Sequence, residues 1–326
     1  MECPAPFRIP EAAKEGFSDG GVYDVYRATY PRAVVDSFLD KIKVKGRGRA
    51  RIVEVGAGTG KFTERLVERP EKYEVVAVEP LAGMRAQLAD KELGAGRVKL
   101  VDGHAGGIPL EEGWGDAAVV AQAFHWFADE GALEEIARVL RPMAVLGMIW
   151  NVEDLEITRW VFITYNSLPN RKLGRTWVTD NKPRDWQAST KWEQKLNDMV
   201  HSLPDDGHPR FRHSKWPDVF TSQLASSPLQ ALRGGASGKT PRFSLPLGEE
   251  RVPFSIWLSE DELWRRMCTL SQMSIIVKKG GDEARELRTK FDEALRGDDV
   301  ERNDKGEVNI NGQTYFAWTD KIGGYY

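Results

Sequence analysis

Residues 52–61 read Ile-Val-Glu-Val-Gly-Ala-Gly-Thr-Gly-Lys, and this stretch decides the fold. An apolar run ends in three glycines at alternate positions, Gly56, Gly58 and Gly60, which permit a tight turn from a strand into a helix. Glu79 ends a second apolar run, and an acid there can accept hydrogen bonds from both hydroxyls of a ribose. Together the two features predict a nucleoside site at the ends of neighbouring parallel strands.

The spacing of the glycines distinguishes between nucleoside ligands. A dinucleotide-binding turn reads G-x-G-x-x-G, whereas here the third glycine comes two residues after the second. The resulting pattern, E-x-G-x-G-x-G from Glu54 to Gly60, favours S-adenosylmethionine over NAD. A phosphate-binding loop would require Ser or Thr after Lys61, where Phe62 stands, so an ATP site is not predicted.

The composition favours small-molecule chemistry. The chain has 326 residues, of which 41% are hydrophobic, and this is enough for a sizeable core. The net charge is −3 with acids and bases interspersed, which argues against nucleic acid or a membrane surface as a partner. Two cysteines and the absence of a basic, apolar leader predict a cytoplasmic protein. The composition leaves the oligomeric state open.

Strand and helix signals alternate through the first half of the chain. Such alternation predicts an α/β fold with a doubly wound, mostly parallel sheet, in which ligands bind at the carboxyl ends of the strands. The strand signals cover residues 51–55, 74–78, 98–101, 117–121 and 143–150, and the helix signals cover residues 62–67, 84–89 and 133–140.

The pattern changes after residue 151. Apolar periodicity weakens over residues 152–245, which we interpret as an inserted helical cap over the substrate. The rest of the chain divides into an N-terminal lid at residues 1–45, a cofactor-binding core at 46–151, and C-terminal strands and cap helices at 246–326.

Three local signals place elements in the C-terminal segment. A capping box, Ser259 to Glu262, predicts a helix reaching about Val277, and residues 283–295 predict another. The pair Asn311-Gly312 predicts a turn within the last strand region.

Four motifs stand out in the first half of the chain: Tyr23-Asp-Val-Tyr-Arg-Ala-Thr-Tyr-Pro31, Glu54-Val-Gly-Ala-Gly-Thr-Gly60 with Val78-Glu79-Pro80, Ala121-Gln-Ala-Phe-His-Trp-Phe127, and Arg138-Val-Leu-Arg-Pro142. Together they resemble class I S-adenosylmethionine-dependent methyltransferases. The resemblance is greatest to the fungal and yeast small-molecule branch that includes trans-aconitate methyltransferase-like proteins. It covers residues 16–151 and implies a Rossmann-like, seven-stranded sheet.

The resemblance implies a set of cofactor contacts. Glu54, Gly56 and Gly58 would frame the methionine moiety, Glu79 would bind the ribose, and the loop of residues 102–105 would hold the adenine. The full implied set is Tyr23, Arg27, Glu54, Gly56, Ala57, Gly58, Gly60, Glu79, Pro80, Met84, Gly103, His104, Ala105, Gln122 and Ala123. In this set Gln122 approaches the methionine end, while Tyr23 and Arg27 either close over the cofactor carboxylate or form a surface ion pair.

Methyl transfer from a sulfonium is an in-line displacement that requires alignment of the acceptor and no metal. His125, at the end of the predicted fourth strand, is the best candidate for a catalytic base, and a role in orienting the loop is the alternative. Trp126 is expected to face the sulfonium or to pack as a simple wall. The predicted substrate pocket consists of Tyr30, Phe124, His125, Trp126, Trp150 and Asn151.

The identity of the acceptor depends on the insertion. Seven of the eleven tryptophans fall between residues 150 and 257, which predicts a hydrophobic or aromatic secondary-metabolite acceptor, or else the ordinary core of a cap. The histidines of the insertion are irregularly spaced, so no metal is predicted. Two other functions stay open: a scaffold redirected to a non-methylating reaction such as a pericyclic cyclisation, and a non-catalytic cofactor-binding protein.

Overall fold

A computed structural model describes residues 9, 11–16, 20–94, 96–154, 188–204, 206–225 and 241–323. Its strands are β1 (Arg51–Val55), β2 (Glu74–Val78), β3 (Val98–Val101), β4 (Gly115–Ala121), β5 (Leu140–Glu153), β6 (Gly248–Leu258) and β7 (Val308–Asp320). Its helices are α1 (Glu11–Gly16), α2 (Gly20–Tyr26), α3 (Arg32–Lys41), α4 (Lys61–Val67), α5 (Ala82–Asp90), α6 (Glu130–Val139), α7 (Lys191–His201), α8 (Asp218–Ala225), α9 (Glu260–Met267), α10 (Ser271–Lys279) and α11 (Gly281–Ala294).

The seven strands form one sheet in the order β3-β2-β1-β4-β5-β7-β6. The first five pair in parallel, and β7 lies antiparallel between β5 and β6. This arrangement confirms the predicted mostly parallel, seven-stranded sheet. The order reverses between β1 and β4, so the loops after these two strands open a crevice at their carboxyl ends.

Helices cover both faces of the sheet, which explains why the central strands are nearly continuous apolar runs. Val53 and Val55 of β1 pack on one face in a core cluster with Leu133 of α6. Ile52 of the same strand packs on the other face with Phe38 of α3. The alternation of side chains along the strand therefore supplies both layers of the core.

Two C-terminal predictions are wrong. The helix that begins at the confirmed capping box of Ser259 ends at Met267, and a second helix begins at Ser271. The break occurs because Leu270 adopts an extended backbone and the Thr269 hydroxyl donates to the Arg266 carbonyl (2.6 Å).

The predicted turn at Asn311-Gly312 is instead the interior of β7. Gly312 pairs with both neighbouring strands, and a Cβ at this position would lie 2.6 Å from Phe254 Cζ. The glycine therefore serves packing rather than a hairpin. Strand β6, whose bounds the sequence analysis does not give, contains Pro253, and a proline is tolerated there because β6 is an edge strand.

The described parts of the insertion are integral to the core. Trp192 of α7 is fully buried in a cluster that contains Phe291 of α11 and Ile310 of β7. Trp216 and Phe220 pack into the cluster beneath β4 and β5. The insertion residues Trp160, Trp177 and Trp186 lie outside the described residues. Within the described ranges, no helix has both the length and the apolar character needed to cross a membrane.

Candidate functional site

Two adjoining clefts open at the carboxyl ends of the strands. The first cleft lies over the loop that follows β1. Ten of the residues predicted to bind the cofactor line it: Tyr23, Gly56, Gly58, Glu79, Pro80, Met84, His104, Ala105, Gln122 and Ala123. Residues that the sequence did not single out, including Ile9, Ala13, Leu81 and Phe127, complete its wall.

The glycine loop (residues 56–60) brings backbone to the floor of the first cleft. Gly56 has a φ of 73°, and a Cβ on it would lie 2.8 Å from Ala123 Cβ, so only glycine fits there. Gly58 has a φ of 58°, and among the described residues no atom lies within 4 Å of the position that its Cβ would take. Open space therefore faces Gly58, into which a ligand can approach the backbone.

Glu79 stands at the tip of β2 with its carboxylate fixed by the backbone. Its two oxygens accept from Gly58 N (2.8 Å) and Leu81 N (2.9 Å). Burial raises the pKa of Glu79, and these two hydrogen bonds oppose the shift. Arg85, which the sequence reasoning missed, donates to the Glu79 carbonyl (2.8 Å) and to Asp102 (2.8 Å), thereby bracing the ends of β2 and β3.

Glu54 lies beneath the glycine loop and does not line the cleft. It is fully buried, and one carboxylate oxygen accepts from the Thr63 hydroxyl (2.7 Å) while Oε1 has no hydrogen-bond partner among the described residues. Burial raises the pKa of Glu54 to about 8. Ala57, Gly60 and Gly103 likewise fall outside the lining; their predicted contacts stay predictions.

The second cleft shares three wall residues with the first: Tyr23, Gln122 and Trp126. Arg27 lines this second cleft rather than the cofactor side. The rest of the lining is His125, Asn151, Arg210, Phe211, Arg212, Thr269, Leu270 and Ser271. Thr269 and Leu270 belong to the unpredicted break between α9 and α10, and Ser271 is the first residue of α10.

Three predicted pocket residues are not in the wall. Tyr30 is buried with its ring edge against Phe62 (centroids 5.0 Å apart), and Phe124 is buried against Phe220 (5.5 Å). Trp150 is fully buried as well. Their large apolar surfaces go to the core, and among the described residues they do not line the second cleft. The predicted substrate contacts of these three residues stay predictions.

His125 is held as a neutral hydrogen-bond acceptor at one nitrogen. Its Nδ1 accepts from the indole Nε1 of Trp150 (3.3 Å), and since an indole N–H can only donate, the imidazole proton resides on Nε2. Burial, followed by the positive charges of Arg210 and Arg27, lowers the pKa of His125 to about 3. The ring is therefore uncharged at neutral pH.

Three arginine side chains line the second cleft. They are Arg27, Arg210 and Arg212, and no carboxylate belongs to the lining within the described part of the chain. Arg210 pairs with Asp206 (2.6 Å) and places its guanidinium 4.7 Å from the ring centre of Trp126. Arg210 and Arg212 lie in the insertion, where no sequence periodicity marked them.

Gln122 and Asn151 brace the junction of the two clefts. Gln122 adopts a φ of 60°, which is uncommon for a residue with a side chain, and its Nε2 donates to the Asn151 carbonyl (3.0 Å). The side chain of Asn151 donates to the Thr29 carbonyl (3.0 Å) and accepts from the Thr314 hydroxyl (2.7 Å). Asn151 thus supports the wall through contacts within the protein. No group of three potential metal-binding side chains occurs among the described residues.

Comparisons with known proteins identify the family. A methyltransferase-domain family model matches residues 53–147. An uncharacterised methyltransferase of Mycobacterium tuberculosis is 40% identical over 208 residues, which span 62% of this chain and 70% of that protein. This chain belongs to the methyltransferase family. It is an enzyme that uses S-adenosylmethionine as its cofactor.

Further relatives of this methyltransferase come from other organisms. An uncharacterised methyltransferase-like protein of Schizosaccharomyces pombe is 38% identical over 220 residues, covering 68% of this chain and 76% of that protein. A candidate type II methyltransferase from Anaeromyxobacter dehalogenans has a solved structure that matches with a TM-score of 0.53 at 17% identity, covering 92% of this chain and all of that one. The structural likeness supports the fold of the methyltransferase.

Proposed function

We propose that the enzyme transfers a methyl group from S-adenosylmethionine in the first cleft to a small anionic acceptor in the second. The observation that carries this proposal is the cationic lining of the second cleft next to a wall shared with the first. In-line displacement requires donor and acceptor to approach within roughly 3 Å in a fixed direction. Two clefts that share a wall provide such an approach.

The residues of the first cleft fit the cofactor. Glu79 retains lone pairs beyond its two backbone hydrogen bonds and can accept from the ribose hydroxyls. The open space at Gly58 accommodates the methionine moiety, and His104 with Ala105 would flank the adenine. S-adenosylmethionine supplies an electrophilic methyl group on a positively charged sulfur.

The residues of the second cleft fit a carboxylate or a similar anion. Guanidinium groups bind carboxylates through paired, charge-assisted hydrogen bonds. An acceptor that is already deprotonated needs no catalytic base, which agrees with a neutral His125 whose Nδ1 lone pair is engaged by Trp150. In this account His125 orients the loop and presents its Nε2–H to the cleft.

The tryptophan content gives less support to an aromatic acceptor than the sequence suggested. Of the described tryptophans from residue 150 to 257, Trp150, Trp192 and Trp216 are buried in core clusters, while Trp257 lies on edge strand β6. Trp126 lines the clefts, with a guanidinium over its ring. We therefore propose a small-molecule acceptor, as in the branch that the sequence resembles, and one that carries a negative charge.

The substitution Arg210→Gln tests the anionic acceptor. It should raise the KM for transfer of a labelled methyl group from S-adenosylmethionine to the acidic fraction of a metabolite extract by at least about tenfold. The reason is the loss of a charge-assisted hydrogen bond between the Arg210 guanidinium and the acceptor. Affinity for S-adenosylhomocysteine, measured by calorimetry, should change little. The matched control is Arg141→Gln, which removes an arginine paired with Asp116. This pair lies at the amino ends of β4 and β5, away from the clefts at the carboxyl ends of the strands. Equal effects of the two variants on KM would contradict the proposal.

A further inference from the structure

One short segment reaches both clefts. Residues 20–30, which we call the strap, comprise α2 and the turn that follows it. Tyr23 of the strap lines both clefts, and Arg27, one helical turn later, lines the second. Any displacement of the strap therefore alters the cofactor cleft and the acceptor cleft together.

Asp24 fastens the strap to the glycine loop. Its Oδ1 accepts from the Thr59 hydroxyl (2.6 Å) and from Lys91 Nζ (2.6 Å). Thr59 stands between Gly58 and Gly60 and is 1% exposed, so its hydroxyl is held by the loop. Burial alone would raise the pKa of Asp24, but the hydrogen bonds with Lys91 and Thr59 lower it overall, which keeps the carboxylate charged.

Other contacts fasten the strap elsewhere. The Tyr26 hydroxyl accepts from Arg265 of α9 (2.8 Å), and the Thr29 carbonyl accepts from Asn151 of β5 (3.0 Å). These contacts reach a cap helix and a central strand. The Asp24 contact differs from them because it reaches the loop over which the cofactor is proposed to lie.

We propose that Asp24 is a positioning residue that couples cofactor binding to the shape of the acceptor cleft. The inference rests on the proposed placement of the cofactor between Gly58 of the loop and Tyr23 of the strap. The position of the strap in the structure, with Asp24 bound to Thr59, is called closed here. A ligand that contacts both the strap and the glycine loop stabilises the closed position, as the Asp24 contact does. In this position Arg27 lines the second cleft, so a cofactor that holds the strap there also holds Arg27 at the acceptor site.

The substitution Asp24→Ala in the full chain tests this coupling. Amide hydrogen exchange over residues 20–30 should show a strap that is mostly open without ligand, and saturating S-adenosylhomocysteine should restore its protection. Affinity for S-adenosylhomocysteine should fall by the ratio of the closed fractions, about tenfold when a tenth of the molecules are closed. If Asp24 had a purely structural role, the loss of affinity would not equal the ratio of the closed fractions. Saturating S-adenosylhomocysteine would also not restore the protection of the strap.

Two variants serve as controls. Glu64→Gln removes the other carboxylate that Lys91 contacts (2.6 Å) and leaves the Asp24 contact in place, so strap exchange and affinity should stay as in the wild type. Asp24→Asn keeps an acceptor for Thr59 while losing the charge facing Lys91, and should be intermediate. If Asp24→Ala does not fold, Thr59→Val interrupts the same contact from the loop side.

Two results would overturn the inference: weaker binding with an unchanged strap, or an open strap with unchanged binding. Failure of the proposed cofactor placement is detected separately, because wild-type protein would then fail to bind S-adenosylhomocysteine or Glu79→Ala would leave binding unaffected.

Discussion

At the scale of single residues, Glu79 supports the placement of the cofactor most directly. Glu79→Ala should weaken S-adenosylhomocysteine binding at least about tenfold, because charge-assisted bonds to hydroxyls contribute roughly 1.5 to 3 kcal/mol each. Calorimetry measures the change. Glu112→Ala, which removes an exposed carboxylate outside the cleft lining, is the control. Unchanged affinity in a folded Glu79→Ala protein would reject the ribose contact.

His125 gives the second prediction at this scale. Burial and the neighbouring arginines lower the pKa of His125 to about 3, so the ring is uncharged around neutral pH. The turnover rate should therefore not fall as the pH drops through the ordinary histidine pKa. His125→Gln should retain most of the turnover. A fall in the wild-type rate near the ordinary histidine pKa that is absent in His125→Gln would instead establish base catalysis.

At the scale of elements, the loop between β1 and α4 determines binding through its backbone. Gly58→Val has room for its side chain, since no described atom lies within 4 Å of its Cβ position, but it strains the backbone because Gly58 has a φ of 58°. In a folded variant it should abolish S-adenosylhomocysteine binding by filling the cleft. Gly96→Val is a matched control because Gly96 also has positive φ (82°) and open space, away from the clefts. Normal binding by folded Gly58→Val would refute the placement of the loop.

The same scale shows how far the sequence could predict the structure. The glycine loop and Glu79 were predictable because a local pattern of residues determines strand, turn and helix. The break at Thr269 and Leu270 was not, since it is set by an extended residue between two sequences that both favour helix. Arg210 reaches the second cleft through long-range packing of the insertion, and no local periodicity signals such a contact.

At the scale of the whole molecule, the second cleft combines distant parts of the chain. Arg27 comes from the N-terminal segment, His125 from the turn after β4, Asn151 from β5, Arg212 from the insertion, and Ser271 from the C-terminal helices. The cofactor cleft depends mainly on the core and the strap. We expect acceptor specificity to vary with the insertion while cofactor binding follows the glycine loop and Glu79.

We propose that the enzyme as a whole transfers a methyl group to an anionic small molecule. To test this directly, the protein and deuterium-methyl S-adenosylmethionine are incubated together in two parallel reactions, one with the acidic and one with the neutral fraction of a metabolite extract. The products of each reaction are analysed by mass spectrometry. We predict a product in the acidic fraction that carries one labelled methyl group, formed together with S-adenosylhomocysteine. A labelled product confined to the neutral fraction, or an acidic substrate that is converted without gaining the label, would contradict the account.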